Sequence, residues 1–221
     1  MKDQEILSFI DHTQLKATAT LADIFALCDE AVAAGTATVC IPPSYLAPAK
    51  ARYGDTLRLC TVIGFPLGYN TTPVKVCEVK QALADGADEL DMVVNLGDVK
   101  NSDFDKVTRE IAALKAAADG HLLKVIIETC YLTQEEKIAL CHCVTQGGAD
   151  YIKTSTGFGT AGATLEDVRL FKQHIGPNVK IKAAGGVKTR EDLEAFLAEG
   201  CSRIGTSSAV KLLKGGQATG Y

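Results

Sequence analysis

The sequence predicts a single-domain (β/α)8 barrel, and three observations carry that expectation. Short apolar runs of strand length alternate with amphipathic stretches of helix length from one end of the chain to the other. Several of the helical stretches open on a capping threonine, and many close on glycine. Eight such units account for nearly all of the 221 residues, leaving little for insertions.

The strands are expected at "SFIDHT" (8–13), "TATVCI" (36–41), "LRLCTVIGF" (57–65) and "ELDMVVN" (89–95), then at "LLKVIIET" (122–129), "DYIKTS" (150–155), "VKIKAAG" (179–185) and "CSRIGTSS" (201–208). Amphipathic stretches lie at 20–34, 72–85, 103–118, 133–147, 164–174 and 189–199. Thr133 with Glu136 and Thr164 with Asp167 have capping-box spacing, and Thr189 precedes "REDLEAFLAEG". Strands joined by crossover helices pair in parallel, because a hairpin turn cannot connect them. A doubly wound open sheet is the alternative, weakened by the lack of G-x-G-x-x-G after the first strand. No linker rich in Pro, Gly or Ser divides the chain, so residues 1–221 are read as one domain, with the glycine-bearing end 215–221 as a flexible tail.

Composition excludes some functions. A net charge of −4 argues against nucleic-acid binding, which needs a basic stripe. Apolar runs fall short of the roughly 20 residues of a membrane span. The start, "MKDQEILSFIDHT", is charged where a signal peptide is apolar, so a cytoplasmic location is expected. The 8 cysteines include no C-x-x-C pair, and the two in "CHC" (141–143) lie in a helical stretch where neighbours point apart. They read as reduced apolar residues rather than as metal ligands.

Function in a barrel gathers at the carboxyl ends of its strands. Lys153 is late in its strand, just before "TSTG"; Lys182 is the later of two lysines in "VKIKAAGG"; Asp91 interrupts an apolar run. Lys124 enters its strand early and is read as a stabilising residue, with Ile126 and Glu128 at the same parity. A single lysine in a strand ordinarily reaches solvent or pairs with an acid, and a single buried aspartate ordinarily anchors hydrogen bonds. Two lysines and an acid at one barrel end are different, because burying such groups is costly unless they pair or change protonation state. Lysine attacks a carbonyl only as the neutral amine, and its free pKa is near 10.4. Desolvation and a neighbouring ammonium both favour the neutral form, so Lys153 beside Lys182 is expected to be the nucleophile, with Asp91 moving protons.

The last three loops, "STGFG" (155–159), "AAGGV" (183–187) and "IGTSS" (204–208), are expected to hold a phosphate. Gly185 and Gly186 let backbone N–H groups approach an anion, and Ser207 and Ser208 add hydroxyls at a helix start. As plain turn glycines each loop would be unremarkable; three in succession at one face make the phosphate case.

These segments, with "IDHT" (10–13), "GADELDMVVN" (86–95), "LLKVIIET" (122–129) and the pair "KTSTGF" and "KAAGGV", resemble the deoxyribose-phosphate aldolase family over nearly the whole chain. The resemblance implies a class I aldolase on a (β/α)8 barrel, without metal or cofactor. Its reaction is the reversible cleavage of 2-deoxyribose 5-phosphate to acetaldehyde and glyceraldehyde 3-phosphate. It assigns Lys153 the Schiff base, Lys182 the perturbing charge and Asp91 the proton relay. It makes Asp11 and Thr13 contacts to the sugar hydroxyls through water with Thr156 beside them, places Cys40 in the pocket, and assigns the phosphate to Gly157, Gly185, Gly186, Gly205, Ser207 and Ser208. Tyr221 resembles a tail tyrosine that moves the C2 proton, and Phe158 stands where some relatives carry lysine. The implied partners are phosphorylated sugars and small aldehydes. Barrels of this kind often pair, so a homodimer is compatible with the chain, although no interface is legible. Other Schiff-base barrels, a sugar-phosphate isomerase using Asp91 as base, and a silent phosphate-binding barrel stay open at this point.

Overall fold

The computed structural model describes residues 1–218. In chain order it runs α1 (Asp3–Leu7), β1 (Ile10–Thr13), α2 (Leu21–Ala34), β2 (Thr38–Ile41), α3 (Leu46–Tyr53), β3 (Leu59–Ile63), α4 (Thr72–Ala84), β4 (Glu89–Val93) and α5 (Leu96–Lys100). It continues α6 (Phe104–Ala117), β5 (Leu122–Ile126), α7 (Gln134–Gln146), β6 (Tyr151–Lys153), α8 (Leu165–His174), β7 (Lys180–Ala184), α9 (Arg190–Glu199), β8 (Arg203–Thr206) and α10 (Ala209–Leu213). The strands close in sequence order into a parallel barrel, with β8 returning to β1 through Ile10 opposite Ile204. The closed barrel is the expected fold, and the open sheet is excluded.

Alternation builds two interiors. Strand residues of one parity, such as Val39, Leu90, Val125 and Ile204, join helix residues such as Leu114 and Phe171 in one continuous apolar core between barrel and helices. Cys28, Cys141, Cys143 and Cys201 belong to that core, in keeping with their reading as small apolar residues, whereas Cys77 is exposed. Residues of the other parity point into the barrel, and there the pattern turns polar.

Three differences from the sequence reading have local causes. The helix at Leu46–Tyr53 was not expected, because Pro48 interrupts its pattern. Proline is tolerated there because it sits in the first turn, where the N–H has no helical partner to lose. The short α1 and α5 were also unread. The strands are shorter than their apolar runs: β6 ends at Lys153 itself, so the threonine and serine that follow already belong to the loop. Among the described residues no helix is long and apolar enough to cross a membrane.

Capping follows the expected threonines. Thr133 accepts from Glu136 N at 3.3 Å while Glu136 Oε2 accepts from Thr133 N at 2.8 Å, and Thr189 pairs with Asp192 in the same way. Thr133→Ala should therefore destabilise the protein by about 1 kcal/mol in urea unfolding; an unchanged midpoint would show that α7 is held by packing alone.

Candidate active site

The barrel interior is built by alternation on six strands. β1 contributes Asp11, β4 contributes Glu89 and Asp91, β5 contributes Lys124, β6 contributes Lys153, β7 contributes Lys182, and β8 contributes Arg203; each is buried. Asp91 is the hub. Its Oδ2 accepts from Lys153 Nζ and from Lys182 Nζ, each at 2.7 Å, and its Oδ1 accepts from Lys124 Nζ at 2.8 Å. Lys182 also donates to Asp11 Oδ2 at 2.5 Å, and Lys124 to Glu89 Oε2 at 2.7 Å. Arg203 closes the lower end by donating to Asp11 Oδ1 at 2.7 Å and to both oxygens of Glu89 at 3.0 and 2.9 Å.

The electrostatics follow from this geometry. Burial pushes the Asp91 carboxyl upward, but Lys124, Lys153 and Lys182 together hold it well below the usual carboxylate range. Asp11 is likewise driven down, against the cost of burial, by Lys182, Lys124 and Arg203. Burial opposes the charge on Lys182, yet Asp11 and Asp91 hold it above the ordinary lysine value. Lys124 is held up in the same way by Asp91, Cys60, Asp11 and Glu89. Four basic side chains thus face three carboxylates, and Lys182 is a fixed ammonium sharing one oxygen with Lys153.

Lys153 also faces out of this cluster. A cleft of about 100 Å³ at the carboxyl ends of the strands is lined by Lys153, Thr13, Thr156, Gly185, Gly186, Gly205, Ser207 and Ser208. Gly185 and Gly186 adopt φ of 74° and 76°, a left-handed pair that side chains rarely accept, which turns the β7 loop around the cleft. Gly157 is not on the wall; its Cα lies 3.7 Å from where a Gly185 side chain would begin. Asp91, Lys182, Asp11 and Cys40 lie one layer beneath, each 0% exposed. Asp11, read from the resemblance as a contact to sugar hydroxyls, has its oxygens taken by Lys182 and Arg203. Tyr221 lies outside the described residues, although Ala218 lines the cleft. Phe158 is half exposed and meets Phe65 edge-on with ring centroids 5.3 Å apart.

Sequence reasoning missed part of this site. Lys124 was set aside because it enters its strand early, yet the β4–β5 register places it directly opposite Asp91. Glu89 and Arg203 went unread, although each sits two residues from a residue that was noticed (Asp91 and Gly205), and that spacing is the signal. Lys188 and Leu15 also line the cleft.

Two groups, Cys40 with Cys60 and Asp91, and Asp11 with Cys60 and Glu89, could each offer three metal-ligand atoms within 4.8 Å of one another. Their carboxylates are engaged by the cationic heads, and burial holds the Cys60 thiol protonated, well above its usual range. This donor set suits ammonium groups better than a divalent cation.

A parallel barrel with an amine aimed into a small cleft above an acid–lysine cluster defines a class of enzyme, the class I aldolases of the (β/α)8 fold. Comparison with known proteins narrows the class: the chain belongs to the DeoC/LacD family of aldolases, whose model matches residues 6–219. It is similar to the deoxyribose-phosphate aldolase of Clostridium botulinum (strain Eklund 17B / Type B), at 63% identity over 221 residues covering 100% of both chains. The deoxyribose-phosphate aldolase of Clostridioides difficile (strain 630) is 56% identical over 99% of this chain and 100% of its own. Among solved structures, the tetrameric deoxyribose phosphate aldolase from Aeropyrum pernix superposes with a TM-score of 0.90 at 33% identity, over 96% of this chain and 91% of that one.

Two outcomes follow from the buried charges. Arg203→Leu strips Asp11 and Glu89 of a partner and should cost about 3–5 kcal/mol in urea unfolding; a loss below about 1 kcal/mol would mean that the cluster relaxes or hydrates. Asp11 and Asp91 have folded-state pKa values below their unfolded ones. Their stabilisation is therefore full above about pH 4 and lost as pH falls further toward the folded values. An acid titration of folding should show a plateau down to about pH 4 and then a decline, and a decline beginning near pH 6 would contradict this account.

Proposed function

We propose that this protein cleaves 2-deoxyribose 5-phosphate reversibly to acetaldehyde and glyceraldehyde 3-phosphate through a Schiff base on Lys153. The single observation that carries the assignment is that Lys153 alone among the clustered cations both touches Asp91 and lines the cleft. In this reading the neutral amine of Lys153 attacks the C1 aldehyde of the open-chain sugar. Asp91, with Lys182 beside it, shuttles the protons that turn the carbinolamine into an imine by loss of water. The C2–C3 bond then breaks, its electron pair flowing into the iminium to give an enamine. The C3 hydroxyl loses its proton and leaves as the aldehyde of glyceraldehyde 3-phosphate. Protonation of the enamine and hydrolysis release acetaldehyde and restore the amine.

Lys182 is assigned to the same step: it stays charged and shares Asp91 Oδ2 with Lys153. The phosphate is assigned to the loops bearing Gly157, Gly185, Gly186, Gly205, Ser207 and Ser208, and Lys188 on the same wall adds the cationic partner that Phe158 does not supply. Thr13 and Thr156 are assigned to sugar hydroxyls. Asp11 is assigned to holding Lys182, and Cys40 to the packing beneath the cleft. Tyr221 is retained as a proton relay for C2, on the family resemblance and on the place of Ala218 at the cleft. A cytoplasmic location and a homodimer complete the proposal; the Aeropyrum pernix relative is a tetramer.

Incubation with acetaldehyde and sodium borohydride, followed by peptide mass spectrometry, should place a two-carbon adduct on Lys153, and Lys153→Leu should lose both adduct and turnover. An adduct on another lysine would overturn the assignment, and no adduct at all would favour an isomerase or a silent barrel.

A further inference from the structure

Two cysteines inside the barrel take no part in the chemistry above. Cys40 on β2 and Cys60 on β3 stand directly opposite each other in the strand register, and both are fully buried. They belong to the small inward-facing cluster with Leu15 and Val62, apart from the main core. Neighbouring strands run about 5 Å apart, inside the roughly 4.4–6.8 Å separation of α-carbons that a disulfide spans. The two sulfurs and an Asp91 carboxylate oxygen all lie within 4.8 Å of one another. Rotation of the side chains, without movement of the strands, therefore separates this pair from a bond.

The two thiols differ in chemical state. Cys60 carries one proton between two acceptors, Asp91 Oδ1 at 3.2 Å and the Cys40 sulfur, and Lys124 Nζ lies 3.3 Å from its own sulfur. The hydrogen bond from Cys60, aided by the charges of Lys182 and Lys153, holds the Cys40 thiol below its usual range despite burial. A thiol so placed is the more reactive of the two, and the protonated one beside it is placed to resolve its oxidised form.

We propose that Cys40 and Cys60 form a reversible disulfide on exposure to a peroxide, and that this bond turns down the catalytic cluster beside it. The inference rests on the aldolase reading for its consequence, the fall in turnover, and on the thiol geometry alone for the bond. The Cys40 thiolate attacks one oxygen of hydrogen peroxide, the O–O bond breaks, and hydroxide leaves a sulfenic acid behind. The Cys60 sulfur then attacks the Cys40 sulfur, and the sulfenic hydroxyl leaves with the Cys60 proton as water. In sum, two thiols and one peroxide give one disulfide and two waters. Hydrogen peroxide is smaller than the acetaldehyde that must reach Lys153, and Cys40 lies in the layer beneath that amine. The new bond draws the Cys60 sulfur away from Asp91 Oδ1, leaving that oxygen to Lys124. It also shifts the cluster that supports Leu15, a residue of the cleft wall.

The test treats the fully reduced protein with hydrogen peroxide, blocks remaining thiols with iodoacetamide, and maps peptides by mass spectrometry without reduction. Turnover of 2-deoxyribose 5-phosphate is measured before treatment, after it, and after dithiothreitol. The peptides bearing Cys40 and Cys60 should be joined, turnover should fall by about tenfold or more as the cluster is displaced, and dithiothreitol should reverse both. Cys40→Ala, compared with its own untreated rate, should keep that rate through the treatment. In Cys60→Ala, dimedone should trap Cys40 as the sulfenic acid that no longer has a resolving partner. If the variants fail to fold, the joined peptide and the dithiothreitol recovery of the wild type decide the matter. Lost turnover with the pair unjoined, a joined pair with unchanged turnover, or an equal reversible loss in Cys40→Ala would overturn the proposal. Absence of turnover before treatment would count against the aldolase reading, whereas the joined peptide is scored by mass alone.

Discussion

Everything in this barrel depends on one carboxylate shared by three amines. Asp91 sits where other barrels pack branched aliphatic side chains, and it binds Lys124, Lys153 and Lys182 at 2.7–2.8 Å. A lone carboxylate in that place would be prohibitively desolvated. Surrounded by ammonium groups, it stays ionised, and it brings to one point side chains from three strands. Glu89, Asp11 and Arg203 extend the ion-pair network, while Cys40, Cys60 and Val62 from β2 and β3 form a small apolar cluster beside it.

Such a network is a poor way to gain stability and a good way to fix geometry. Each buried charge pays a desolvation cost that its partners roughly offset. The apolar layer between strands and helices, from Val39 to Phe171, supplies the hydrophobic driving force instead. This division leaves the interior free to be tuned for charge. Four basic side chains face three carboxylates, and Lys153 is the one of the four that lines the cleft. Lys182, clamped by Asp11 and Asp91, and Lys124, clamped by Asp91 and Glu89, are held in their charged forms.

Much of this was legible in the sequence because alternation and crossover spacing leave few topologies for a chain of this length. The barrel followed from period and caps, and Lys153, Lys182 and Asp91 from their place in apolar runs. The elements that stayed hidden share a cause: their signal depends on the third dimension. Pro48 masked α3 because its tolerance depends on the turn it occupies. Lys124 looked peripheral because its place was read along its own strand, while the β4–β5 register sets it directly opposite Asp91. Asp11 was read as a contact to sugar hydroxyls through water, and in the barrel it is buried with its oxygens on Lys182 and Arg203.

Lys182 readies Lys153 through the Asp91 oxygen that the two amines share. This is tested most directly by the rate at which acetaldehyde is captured on Lys153, in the wild type and in Lys182→Met, with circular dichroism confirming that the variant is folded. Capture by the variant should be slower by about tenfold or more, the loss of one positioned charged partner. Equal rates in the two proteins would contradict it.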